Sequence, residues 1–148
     1  MREIIHNLRK AKLAHKRWVG HAAALIEGIN IDKEQVPINH TDCIFGQWYY
    51  GEGQNLSSLQ EFKKIENSHS NLHLIYMEIF KLLFQEKKLS FFSRLIGKTS
   101  KASTDDHKIA KVKYRLLVEV SNEIVIHLDN LEKKLKKLGE DEIKNLLS

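Results

Sequence analysis

The sequence predicts an all-α fold, an antiparallel helical bundle of three long helices with short helices in the connector at 29–56. Three observations carry this. Apolar residues recur at alternating four-and-three spacing over three long stretches, which marks one buried face on each of three helices. The chain of 148 residues holds one proline, Pro37, and few β-branched runs, so little breaks a helix and little favours a strand. That length fits one domain, 1–148, with a core large enough to need no disulfide and an irregular segment at about 88–106.

The first helix is expected over roughly 3–28, its inward face reading Ile4, Leu8, Ala11, His15, Trp18, Ala22, Leu25 and Ile29. The second starts after "NLSS", where Ser57 with Gln60 or Ser58 with Glu61 forms a capping box, and runs to about Lys87. Its seam is Leu59, Phe62, Glu66, His69, His73, Tyr76, Phe80 and Leu83. The third is expected over about 107–138, capped by Thr104 or Asp105 and stopped by Gly139, with 140–147 adding a further turn or a frayed tail. Its predicted inward stripe is Ile109, Val112, Leu116, Val120, Ile124, His127, Leu131, Leu135 and Leu138.

Between the first two helices lies a connector too long for a simple turn, and such connectors usually carry function or local structure. Within it, "CIFGQWYYGEG" (43–53) reads as a short helix from Cys43 to about Tyr50, capped by Thr41 or Asp42 and closed by Gly51 and Gly53. A thiol in the first turn of a helix is easier to ionise, so Cys43 is expected to be acidic for a cysteine.

Composition narrows the class. One cysteine permits no internal disulfide, which points to a reducing, cytoplasmic setting. The N-terminus lacks the apolar run of a signal peptide, and no window approaches the roughly 20 apolar residues that span a bilayer. The formal charge of +5 is spread along the chain and densest at "LEKKLKKLG". Lysine and glutamate interleaved at helical spacing read as a solvated helix face, so no nucleic-acid partner is expected. "LSFFSRLIG", flanked by Lys87, Lys88, Arg94 and Lys98, reads as a packed or mobile loop, with surface docking through 89–98 the lesser reading.

The chemistry concentrates in the histidines. His69 and His73 are an i, i+4 pair, so both rings project from one helix face about one turn apart, as two ligands of one ion require. His15 sits near the middle of the first helix and this pair near the middle of the second, so antiparallel packing brings all three to one level. About 15 residues of connector extend to roughly 45 Å, well beyond the roughly 20 Å needed to return Cys43 to mid-bundle. Three imidazoles and one thiolate would close a tetrahedral shell of the softness that favours Zn²⁺. Each of these residues taken singly also reads as an ordinary buried side chain with one hydrogen bond, so spacing leaves a shared metal site and a metal-free core both open. His6, His21, His40 and His107 are expected at the surface, and His127 in the core with one hydrogen bond.

"AHKRW" (14–18), "CIFGQWYYGEG" (43–53) and "HSNLH" (69–73) resemble, in order and spacing, three signatures of the chemoreceptor zinc-binding (CZB) family of bacterial signalling proteins. The resemblance covers roughly residues 10–85. It implies a helical bundle holding Zn²⁺ through His15, Cys43, His69 and His73, with Cys43 also the redox-sensing residue towards oxidants such as hypochlorous acid. Trp18, Gly46 and Trp48 are expected to wall the site, and Glu66 to steady one of its imidazoles from a second layer.

The function this implies is a non-catalytic zinc-binding sensory domain whose occupancy or cysteine oxidation switches the bundle and a signalling partner, in chemotaxis or cyclic-dinucleotide pathways, with a homodimer expected. One rival is a hemerythrin-like or di-iron bundle that binds oxygen or catalyses, which needs inward carboxylates beyond Glu66. The other is a structural interaction module whose histidines bind nothing.

Overall fold

The computed structural model describes residues 2–84 and 102–146. The expected end of the second helix at Lys87 and the docking segment 89–98 lie outside the described residues. Among those residues there is no strand, and the fold is an antiparallel helical bundle. Its elements are α1 (Arg2–Ile26), α2 (Ile44–Tyr50), α3 (Gln60–Phe84), α4 (Thr104–Lys137) and α5 (Glu140–Leu146), with single 3₁₀ turns at Lys33–Gln35 and Glu52–Leu56.

α1 buries Leu8, Ala11, His15, Trp18, Ala22 and Leu25 of the face its spacing predicts, whereas Ile4 is half-buried and Ile29 lies past the helix end and is 59 % exposed. It ends at Ile26 because Gly28 adopts φ +80°, a left-handed conformation that turns the chain out of the helix. α4 begins earlier than its spacing suggests, because Ser103 rather than Thr104 or Asp105 caps it. The Ser103 side chain accepts from the Asp106 amide while the Asp106 carboxylate accepts from the Ser103 amide. Residues 140–146 are helical rather than frayed.

α3 packs most extensively against α4, and α1 lies beside α4 across two ion pairs, Arg9 with Glu132 at 2.6 Å and Lys12 with Asp129. Leu72, Tyr76, Ile79, Leu117, Ile124 and Leu128 form the centre of the core.

The phase of α4 corrects the sequence reading in its first half. Ile109, Val112 and Leu116 are 47 %, 64 % and 49 % exposed, whereas Asp106, Ala110, Leu117 and Ser121 turn inward. Two adjacent apolar stripes exist on this helix, and periodicity alone favours the bulkier one. Packing selects the stripe with small residues, Ala110 and Ser121, which let α4 approach its neighbours closely. From Val120 onward the two readings converge on Ile124, Leu131 and Leu135. His127 is half-buried beside Glu123, 3.4 Å away.

Candidate metal centre

α2 places the thiol. Cys43 is itself the N-cap of this helix: its backbone is extended and its sulfur accepts a hydrogen bond from the Gly46 amide at 3.2 Å. The geometry needs glycine at 46, since a Cβ there would lie 1.8 Å from the carbonyl oxygen of His40. That carbonyl in turn accepts from the Cys43 sulfur at 3.5 Å. The connector is thereby folded tightly over the side of α3 that carries the histidines.

α3 supplies the imidazoles. His69 and His73 are both buried, with ring centroids 4.8 Å apart. Nε2 of His69 stands 3.4 Å from the Cys43 sulfur. His73 donates from Nδ1 to the carbonyl of Ile38 at 2.8 Å, which fixes its tautomer and leaves Nε2 as the nitrogen with a free lone pair. The ligand atoms of Cys43, His69 and His73 all lie within 4.8 Å of one another.

His15 stands beside this trio rather than within it. It is 2 % exposed, its Nε2 is 3.0 Å from Oγ of Ser121 on α4, and its ring meets Phe45 edge-on at 5.8 Å. Phe45 also packs at 4.6 Å against His69, so one aromatic ring touches both histidines. Trp18 closes another side: its ring is 4.5 Å from His73 and 5.0 Å from Tyr76, and its Nε1 donates to the Pro37 carbonyl at 3.3 Å. Trp48 lies one layer further out, against Phe45 and Phe62. Glu66 does not face inward: it is exposed, and its carboxylate accepts from the Tyr50 hydroxyl at 3.4 Å.

Electrostatics favour neutral imidazoles. Burial pushes His69 down to about 2, reinforced by the neighbouring His73, His15 and His40. Burial lowers His73 to about 4 against the opposing hydrogen bond to Ile38, and lowers His15 to about 4 with His73 contributing. A neutral imidazole is the form that binds a metal. The thiol behaves otherwise than its helix-terminal position suggests. Burial raises the Cys43 pKa and outweighs the Gly46 amide that lowers it, so ionisation awaits a nearby cation.

The spacing of the trio fits zinc. Zn–S of about 2.3 Å and Zn–N of about 2.0 Å at a tetrahedral angle put sulfur and nitrogen about 3.5 Å apart, close to the 3.4 Å found. The opposite ring nitrogen of His69, Nδ1, is buried with no hydrogen-bond partner among the described residues.

His40 was expected at the surface. It is instead half-buried, with its ring 6.1 Å from His69 and 6.4 Å from His73. Its position three residues before Cys43 was the only available hint. Phe45 and Ser121 were likewise not singled out by sequence reasoning; Phe45 at least lies inside the 43–53 motif.

A helical bundle in which a buried thiol and two imidazoles converge is the class of α-domain that could hold a metal ion through Cys and His donors. Residues 15–80, just under half of the chain, match the model of the chemoreceptor zinc-binding domain. The match begins at His15 and contains Cys43, His69 and His73. Neither a curated protein nor a solved structure matches the chain.

Proposed function

We propose that this protein is a cytoplasmic zinc-dependent sensor in which His15, Cys43, His69 and His73 share one Zn²⁺. The observation that supports it best is the 3.4 Å approach of the Cys43 sulfur to His69 Nε2 inside a buried cluster of neutral imidazoles. Four protein donors fill a tetrahedral shell and leave no position for a substrate or activated water, so the site is regulatory rather than catalytic. A di-iron reading finds little support, because Glu66 is exposed and the trio contains no carboxylate.

Two signals fit this chemistry. Zinc occupancy can order the bundle, because binding free energy is folding free energy when the ligands come from separate elements. Oxidation is the second: the Cys43 thiolate attacks a peroxide or hypochlorous acid, the O–O or O–Cl bond breaks with hydroxide or chloride leaving with its electron pair, and the sulfenic acid that results is a weaker ligand. A pocket of about 290 Å³, lined by Arg17, Trp18, His21, Pro37, Asp42 and Cys43 among others, supplies an approach for such a small oxidant. The output is contact with a signalling protein or a second copy of this chain, and the outward stripe Ile109, Val112 and Leu116 on α4 is the surface that supports a homodimer.

The deciding experiment is zinc stoichiometry of the wild type and Cys43→Ser, before and after mild oxidant. Near-unit zinc is expected in the wild type, with release on oxidation. Zinc retained beside an unreacted Cys43 would reject the redox signal and spare zinc sensing; a wild type that binds no zinc would reject both.

A further inference from the structure

This inference rests on the zinc reading above and extends it to α4, which lies beyond the segment that matches the family. Two polar side chains of α4 are buried among the described residues, Asp106 and Ser121. Asp106 closes the capping box at the helix start. Ser121 has no such local duty. It is 7 % exposed, sits in the middle of the helix and points its hydroxyl at His15 across 106 residues of sequence.

Burying a hydroxyl costs free energy unless it finds a partner, and alanine would serve close helix packing equally well. The partner found is Nε2 of His15, at 3.0 Å. A neutral imidazole carries one N–H and one lone pair, so a nitrogen committed to Ser121 as donor leaves the other as the metal-binding nitrogen. The arrangement parallels that at His73, where Nδ1 is held by the Ile38 carbonyl and Nε2 is left free. In metal sites such outer hydrogen bonds fix the tautomer and orientation of the ligating ring.

We propose that Ser121 is a positioning residue: it accepts the Nε2 proton of His15, reserves Nδ1 of that ring for the shared cation, and so ties occupancy of the site to α4. Its consequence is directional. The same helix presents Ile109, Val112 and Leu116 outward, so a change at His15 reaches the exposed face of α4 through one side chain.

The test uses the full chain as wild type, Ser121→Ala and Ser121→Thr, titrated with zinc against a competing chelator. Ser121→Ala is expected to bind zinc ten- to a hundredfold more weakly, and Ser121→Thr, which keeps the hydroxyl, to recover most of that loss. Cobalt substitution supplies a spectroscopic readout, with a visible spectrum altered in the alanine variant and restored in the threonine one. Amide exchange around residues 117–125 should slow when zinc is added to the wild type and respond less in Ser121→Ala. Should the alanine variant not fold, the His15 tautomer of the zinc-loaded wild type, read by nitrogen NMR, decides alone: a proton on Nε2 supports the proposal and one on Nδ1 overturns it. Equal or tighter zinc binding in a folded Ser121→Ala also overturns it, the tighter case meaning that Ser121 competes with the metal for His15. A wild type that binds no zinc removes the metal reading itself and this inference with it, whereas zinc in the wild type with an unchanged alanine variant removes the inference alone.

Discussion

The sulfur of Cys43 lies 3.4 Å from Nε2 of His69 although 26 residues separate them in the chain. An S–H···N hydrogen bond spans that distance as well as two ligands of one tetrahedral cation do, so the consequences of removing each partner distinguish the two. If the pair shares zinc, Cys43→Ser and His69→Ala each weaken zinc binding at least ~100-fold, and the double variant is little worse than either single one because the residues act as a unit. Competition titration with a chromogenic chelator measures this; wild-type affinity in either single variant would argue for the hydrogen bond.

Zinc removal lowers stability. At free zinc 100-fold above its dissociation constant, linkage contributes about 2.7 kcal/mol. For a domain of this size that corresponds to a melting temperature lower by roughly 5–10 °C after exhaustive chelation. Calorimetry with and without a strong chelator reads the difference, and an unchanged melt would favour the metal-free structural bundle.

Gly46→Ala tests the fold of the connector. Its Cβ would meet the backbone carbonyl of His40 at 1.8 Å, an atom that no side-chain rotation can move away, so α2 must shift and carry Cys43 with it. We expect a loss of at least ~2 kcal/mol in stability together with weakened zinc binding. Chemical denaturation and zinc titration of the same sample report both; a fully stable Gly46→Ala with normal zinc affinity would contradict this placement of α2.

Acid should destabilise the metal-free protein well above the carboxylate range. His15 and His73 titrate near 4 and His69 near 2 when folded, all below the unfolded value of about 6.5. Between those values the unfolded chain binds more protons, so stability is full above pH 6.5 and falls as pH drops towards 4. At pH 5 each of the three costs about 2 kcal/mol. Melting curves of chelator-treated protein at pH 7, 6 and 5 should therefore fall steeply, and a flat profile would mean that these rings are solvated.

Leu116→Glu probes the outward stripe of α4. Leu116 is half exposed, so the substitution should leave the melting temperature of the monomer within about 1 °C, since exposed positions change stability little. It should at the same time lower any dimer affinity by tenfold or more, as read by sedimentation at several concentrations. A wild type that is monomeric at all concentrations would remove this face as a homodimer surface.

The inward face of α1, the position of α2 and the pairing of His69 with His73 were legible because each is a matter of local periodicity or capping. Gly46 was legible as part of the site's wall, though the carbonyl it meets was not. The first half of α4 was misread because Ile109, Val112 and Leu116 look more core-like than Ala110, Leu117 and Ser121, and only the separation of α3 from α4 selects between the two stripes. His40 and Glu66 were each placed on the wrong side of the surface for the same reason: burial belongs to neighbours that spacing does not name. The acidity expected of Cys43 followed from its place at a helix start, and burial by the rest of the fold reversed it.

The order of the residues, by itself, determined that this chain forms long helices and that it carries imidazole and thiol donors at heights from which they can meet. The tertiary structure alone decided that Cys43, His69 and His73 come within 4.8 Å while His15 is held by Ser121, and that burial keeps the three rings neutral. Helical periodicity is set within a few residues of chain, whereas desolvation and donor-to-donor distance are set by which surfaces pack together across more than a hundred.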